Sequence, residues 1–250
     1  MSQINNDKDK IHLLIIAVSA PNLMKVINST KNLNCVRLLE KPLGISIKEA
    51  KQIKKITKNK KYFLALNRRL YESTLYARKK LKKNKIIVIE DHINFDYLNR
   101  LGFEKKQYKN FIFSHSIHLI DYLNIFSQGK ILKIKKYKFK INDNTYIYCF
   151  INFSSGDIGI YTALYNSKKK WKVTIYDKNK MIKLQPLENV IIKSKNLDKL
   201  FKPLNDDKNF KPGLFKIISN LNLFFKKKNY ELVNINEGFK IMNLIHRLHF

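Results

Sequence analysis

Three short segments put polar side chains where an apolar run stops: Ser19-Ala20-Pro21-Asn22, Glu40-Lys41-Pro42 and Asn67-Arg68-Arg69. Each follows a stretch that reads as a buried strand. Each would therefore stand at a strand's carboxyl end, where open parallel α/β sheets bind their ligands. The proline after Lys41 stops the strand and fixes the backbone, which would aim Lys41 into the ligand crevice. An acidic residue and a lysine at such a place point to ligand chemistry, although three residues of this kind also occur in ordinary turns. A fourth segment, Ser114-His115-Ser116-Ile117-His118-Leu119-Ile120-Asp121-Tyr122-Leu123, puts two imidazoles and a carboxylate on one helix. An imidazole titrates near working pH and moves protons readily; beside Leu119 and Leu123, His118 reads equally as a core histidine. His115, His118 and Asp121 recur every third residue, an arc too wide for one ligand set, and no further ligands follow. No metal site is expected.

The elements that must position these residues alternate at first. Ile11 to Val18 is a continuous apolar run, the mark of a strand buried on both faces. Leu23 to Thr30 has helical spacing, and Cys35 to Leu39 is a second strand. Ser46, with Glu49 three residues on, makes a capping box for a helix over Ile47 to Thr57. A strand at Tyr62 to Leu66 and a helix from Tyr71 to Lys82 complete a doubly wound α/β unit, expected over residues 1–82. Beyond it the texture changes. Ile86 to Ile93 reads as a strand and Ser116 to Phe126 as a helix. Then come strand-like runs at Ile131 to Ile141, Tyr146 to Phe153, Ile158 to Tyr165, Trp171 to Tyr176 and Met181 to Leu184, with turns at Asp143-Asn144, Ser154 to Asp157 and Asp177 to Asn179. A meander of this kind predicts a large, mainly antiparallel sheet. A polar stretch from Lys195 to Pro212 leads to helices over Gly213 to Lys226 and Asn236 to Leu248. Residues 83–250 are thus expected to form an α+β domain.

The totals bound the function. With 44% hydrophobic and 12% aromatic residues, a core is easily built. No run approaches the roughly 20 apolar residues of a membrane span, and residues 1–10 lack the apolar core of a secretory signal. Cys35 and Cys149 lie far apart in apolar runs and read as two buried free thiols, so a cytoplasmic location is expected. The net charge of +31 invites a nucleic-acid reading. Against it, lysines punctuate almost every element, and arginine, the preferred base-reading side chain, is scarce. The Lys, Asn and Ile enrichment looks like a drift of composition, so no nucleic-acid partner is expected.

Taken together, the segments resemble the Gfo/Idh/MocA family of NAD(P)-dependent oxidoreductases. In that family a strand ends in a Thr-Pro-like turn, and Glu-Lys-Pro-Leu, a capped helix and an Asn/Tyr-x-Arg strand end follow. Ser19 to Asn22, Glu40-Lys41-Pro42-Leu43-Gly44, Ser46 with Glu49-Ala50, and Asn67-Arg68-Arg69 keep that order and spacing. His118 and Asp121 fit a later helix-opening element. The likeness covers nearly the whole chain and implies an incomplete Rossmann-like domain followed by the α+β sheet domain. It also implies NAD or NADP as cofactor and a sugar as substrate. Ser19, Pro21, Asn22, Glu40, Lys41 and Asn67 would line the cofactor pocket. His118 would be the general base, Lys41 would orient the substrate and steady its alkoxide, and Arg68 and Tyr71 would contact the substrate.

The departures from the family pattern are as specific. The family's first strand and its G-x-G-x-x-G turn would precede Ile11 by roughly 60 residues, whereas ten precede it here and no glycine occurs before Gly44. The resemblance therefore implies an N-terminally truncated member lacking the phosphate loop, with a sheet edge left open. Met24 stands where His is common, Lys109-Asn110 replace paired glycines, and Ser114 replaces an Asp. Two readings follow. In one the chain is an oxidoreductase of sugars, nucleotide-sugars or polyols, an activated sugar of surface-polysaccharide biosynthesis among them. It would then be completed by a separate N-terminal segment or by self-association through the sheet domain. In the other it is a non-catalytic remnant or pseudoenzyme that serves as a binding or oligomerisation subunit.

Overall fold

A computed structural model describes residues 11–250 apart from 59, 105, 106, 143, 196 and 205. The polar lead-in, residues 1–10, and Asp143 of an expected turn lie outside the described residues. In chain order the elements are β1 (Leu13–Ile16), α1 (Leu23–Thr30), β2 (Val36–Glu40), α2 (Ile47–Ile56), β3 (Tyr62–Ala65), α3 (Glu72–Lys80), β4 (Ile86–Ile93), α4 (Phe95–Arg100), α5 (Tyr108–Phe126), β5 (Ile131–Ile141), β6 (Asn144–Phe153), β7 (Ile158–Tyr165), β8 (Lys172–Tyr176), β9 (Lys180–Leu184), β10 (Val190–Ser194), β11 (Leu197–Phe201), α6 (Asp206–Asn209), α7 (Leu214–Phe225), β12 (Val233–Asn234) and α8 (Ile235–His249). They make two compact units. One holds the described residues up to Leu66 with Lys109–Ile117 and Ser219–His246; the other holds Asn67–Tyr108, His118–Ile218 and Arg247–Phe250.

The first unit is built on a four-stranded sheet of order β1-β2-β3-β12. β1, β2 and β3 run parallel, and β12 pairs antiparallel with β3. β3 is buried along its whole length, as a parallel strand covered on both faces must be. β1 departs from that expectation: Leu13 and Leu14 are half-buried and Ile15 is 53% exposed. Among the described residues β1 pairs with β2 alone. Arg37, on the middle strand, is buried, and its guanidinium donates to the carbonyls of Thr30 (2.5 Å), Leu33 (2.7 Å) and Cys35 (3.0 Å). It thereby pins the loop that leads from α1 into β2.

The capping box expected at Ser46 and Glu49 forms. The Ser46 hydroxyl accepts from the Glu49 amide, and the Glu49 carboxylate accepts from the Ile45 amide at 2.7 Å. That carboxylate folds over Gly44, whose φ of +93° suits glycine alone. α8 opens with the same reciprocal pair: the Glu237 amide donates to the Asn234 side chain at 3.0 Å, and the Asn234 amide donates back at 3.2 Å. Its Gly238 lets the helix close over Leu64 and Leu43.

The second unit carries an eight-stranded sheet of order β11-β10-β9-β8-β4-β7-β6-β5, antiparallel except where β4 pairs with β7. One face is core: Ile87, Ile89, Ile147, Cys149, Ile151, Tyr161, Ala163, Val173 and Ile175 are fully buried. The later half of α5 adds Leu119, Ile120, Tyr122 and Leu123 to that core, with Leu123 seated on Gly159. On the opposite face Tyr148 and Phe150 are exposed, whereas Thr162, Thr174 and His92 are buried. The chain is thus α/β, a Rossmann-like sheet followed by a large, mainly antiparallel one. Five elements had no clear signal in the sequence. β12 is two residues long and exists by pairing with β3, and β11 and α6 lie within the stretch read as polar linker. β10 and the short α4 likewise went unread, and α5 begins eight residues ahead of the expected start. Cys35 is half-buried and Cys149 buried, both as free thiols, and burial pushes the Cys149 thiol up to about 11. Among the described residues no helix is long and apolar enough to cross a membrane.

Candidate functional site at the strand ends

In the first unit the parallel strands stop side by side, with Ile16 opposite Leu39 and Glu40 opposite Ala65. Beyond β1 the chain turns through a short 3-10 segment, Ala20–Asn22, with Pro21 early in it. The Asn22 side chain donates to the Ser19 hydroxyl at 2.9 Å, and its amide donates to the Ser19 carbonyl at the same distance. Ser19, Pro21 and Asn22 are all exposed. At the end of β2, Glu40 is exposed; beyond it Lys41 is half-buried, and the Lys41–Pro42 peptide is cis. Pro42, Leu43 and Gly44 are buried, so the turn is rooted in the core. The Lys41 ammonium donates to the Ser114 carbonyl of α5 at 3.1 Å. Ser114 stands one helical turn ahead of His118 in that same helix.

In the second unit Asn67 to Leu70 form another 3-10 turn. The Asn67 amide nitrogen donates to the Pro212 carbonyl at 3.0 Å. The next residue, Gly213, has φ +74°, and any side chain there would collide with the Asn67 carbonyl. The Arg68 guanidinium lies 4.7 Å from the centre of the Trp171 ring, a cation–π contact. Tyr71 is buried; burial raises its phenol, and the Arg68 cation partly offsets the shift. Arg69 and Asp121 form a two-pronged ion pair at 2.5 and 2.7 Å. His118 is 3% exposed. Nearby on the helix, the Tyr122 hydroxyl meets that of Thr74 at 3.0 Å, and burial pushes the Tyr122 phenol far up.

The expected residues therefore fall into distinct groups. Ser19, Pro21 and Asn22 share one turn, and Glu40 and Lys41 share the next. Lys41 is tied to α5, Arg68 is paired with Tyr71, and Asn67 braces the approach to α7. Asp121 braces its helix against Arg69. Among the described residues no cluster of three or more His, Cys, Asp or Glu side chains is placed to hold a metal ion. Three contributors went unread in the sequence: the Ser114 carbonyl, Trp171 and Arg69 as partner of Asp121. The last pair lies 52 positions apart, so only the fold brings it together.

No protein-family model matches the sequence, and no curated protein does. Solved structures do. A dehydrogenase from Chromobacterium violaceum superposes with a TM-score of 0.79 at 13% identity, covering 99% of this chain and 78% of that one. A levoglucosan dehydrogenase solved with NADH and levoglucosan gives 0.77 at 11%, covering 98% and 79%. A UDP-N-acetylglucosamine 3-dehydrogenase from Acidithiobacillus ferrooxidans gives 0.74 at 11%, covering 98% and 80%. At such identities the likeness is one of fold: the chain has the fold of the Gfo/Idh/MocA-type oxidoreductases.

Proposed function

We propose that the chain is a NAD(P)-dependent oxidoreductase acting on a hydroxyl of a sugar, a nucleotide-sugar or a polyol. The observation that carries this reading is the setting of Lys41, half-buried at the carboxyl end of β2 with its ammonium 3.1 Å from the Ser114 carbonyl. A lysine serving only as surface charge keeps its head in water. This one is held by a backbone acceptor at the sheet end where α/β folds take their ligands. Fold likeness to a levoglucosan and a UDP-N-acetylglucosamine dehydrogenase supports the sugar class.

The groups at the strand ends fit the nicotinamide and ribose end of a cofactor. The exposed Ser19 hydroxyl, Asn22 amide and Glu40 carboxylate suit ribose hydroxyls and a carboxamide, and Pro21 supplies a rigid apolar wall. Asn67, whose nitrogen holds Pro212, offers its side-chain oxygen. A bound nicotinamide supplies the hydride chemistry. His118 takes the proton of the substrate hydroxyl as general base. Lys41 orients that hydroxyl and steadies the oxygen as negative charge develops on it. Arg68 and Tyr71 hold the rest of the substrate. Two free thiols suit a reducing compartment, the cytoplasm.

The partner of the second unit, in this reading, is another copy of the chain. Tyr137, Phe139, Tyr148 and Phe150 share the β5–β6 end of the large sheet's second face and are 36–48% exposed. An aromatic patch of this kind on a sheet face marks an interface, and a self-complementary one gives a symmetric dimer.

The test is turnover. The full chain is incubated with NAD or NADP and a panel of sugars, nucleotide-sugars and polyols, and reduced nicotinamide is followed by absorbance. Formation of reduced cofactor that falls by about a hundredfold or more in His118→Ala supports the reading. Silence across the panel from a folded chain favours the non-catalytic alternative.

A further inference from the structure

At the opposite end of the first unit's sheet lies a cleft of about 730 Å³. Tyr62, the first residue of β3, forms part of its lining. The cleft therefore sits where the parallel strands begin, away from Glu40 and Ser19 where they end. One wall is α2 and the loop after it, which contribute Lys48, Lys51, Lys54, Lys55, Lys58 and Lys60. The facing wall is the start of α8, including Asn236 and Phe239. Read along the chain, these lysines look like a solvated helix face. Folded, they surround one concavity.

Six lysines line one cleft and raise a strong local positive potential, although the Lys60 ammonium is tied to the Lys31 carbonyl. Several other features share its sign. The fifteen-residue helix α8 presents its amino-terminal end here, the positive end of its dipole. The one carboxylate in its first turn, Glu237, folds back onto the Asn234 amide and is not part of the lining. The Tyr62 side chain is 2% exposed, and its hydroxyl has no hydrogen-bond partner among the described residues. A buried hydroxyl without a partner is costly and calls for an acceptor. Phe239 adds an aromatic wall, with the Lys54 ammonium 4.8 Å from its ring centre. The size falls within the roughly 300–1,000 Å³ of small-molecule sites.

We infer that this cleft is a second binding site, separate from the strand-end site, for a multiply phosphorylated small molecule of nucleotide size. The phosphates sit among the lysines at the amino-terminal end of α8, and the organic part lies against Phe239. This inference is independent of the oxidoreductase reading and stands or falls without it.

The test is calorimetric titration of the full chain with ATP and with tripolyphosphate at near-physiological salt, where exposed charges are largely screened. Saturable binding is expected. The double variant Lys51→Glu, Lys55→Glu should weaken it at least about tenfold, as loss of two charge-assisted contacts would. The same charge change at two exposed loop residues, Lys82→Glu and Lys83→Glu, should leave it unchanged. Tyr62→Phe, which keeps the ring and removes the hydroxyl, should weaken it severalfold. Absence of saturable binding would overturn the inference. So would equal weakening by both double variants, which would mean attraction to net charge alone. Tighter binding of a short DNA duplex, with the same lysine dependence, would make the cleft a nucleic-acid surface instead.

Discussion

The Arg69 guanidinium grips the Asp121 carboxylate through two parallel hydrogen bonds, Nε to Oδ2 at 2.5 Å and Nη2 to Oδ1 at 2.7 Å. The two partners are unequally placed: the Arg69 side chain is 22% exposed and that of Asp121 only 2%. Removing the cation strands a buried carboxylate, whereas removing the carboxylate leaves a guanidinium that water reaches. Arg69→Ala should therefore cost about 3 kcal/mol of stability and Asp121→Ala clearly less. Denaturant unfolding of the two variants checks the order. Equal costs would show that the pair's burial does not govern its energy.

A second ion pair makes the fold sensitive to acid. Lys85 and Asp157 meet at 2.9 Å with both side chains almost wholly buried. Burial alone would raise the Asp157 carboxyl. The Lys85 ammonium and the amides of Gln128 and Lys85 outweigh it, so the group is held below the ordinary carboxylate range. A carboxyl depressed in the folded state stabilises above its unfolded value, about 3.9, and that contribution is lost as pH falls through the folded value. Stability should therefore drop steeply below about pH 4, and Asp157→Asn should flatten that drop while lowering stability at neutral pH. Unfolding midpoints across the acid range measure both.

Tyr62 predicts the reverse sign. Its hydroxyl is buried without a partner among the described residues, so Tyr62→Phe removes a desolvated polar group at no cost in packing. In the absence of ligand the variant should be unchanged or more stable by up to about 1 kcal/mol. A loss of 2 kcal/mol or more would reveal a bond that the hydroxyl makes in solution.

These positions show how much of the molecule was legible in its sequence. The alternating elements of the first unit, the Ser46–Glu49 cap and the long strands of the meander were written in local patterns of apolar spacing and turn chemistry. β12 was not, because two residues beside β3 carry no periodicity of their own. The candidate site was legible as strand ends, since Ser19, Glu40 and Asn67 each follow a strand. It was not legible as contacts. Lys41 to Ser114, Arg69 to Asp121 and Asn67 to Pro212 join residues 52 to 145 positions apart. The lysines of α2 were read as scattered charge, and the close approach of α8 turns them into a cleft.

The exposed aromatic residues of β5 and β6 make a prediction about assembly. If a second copy covers Tyr148 and Phe150, the chain sediments as a dimer at micromolar concentration. Phe150→Glu, which puts a charge in the middle of the patch, should then give a folded monomer, because the residue is 43% exposed within the single chain. A wild-type chain that is already monomeric contradicts this use of the face.

The central claim is that the strand-end turns form a nicotinamide site, and direct cofactor binding tests it most sharply. NADH and NADPH are titrated into the full chain by calorimetry, with Lys41→Ala beside the wild type. The account predicts saturable binding in the micromolar range that weakens at least about tenfold in the variant while the variant remains folded. A folded wild type that binds neither nucleotide, or a Lys41→Ala chain that binds as well as the wild type, would contradict it.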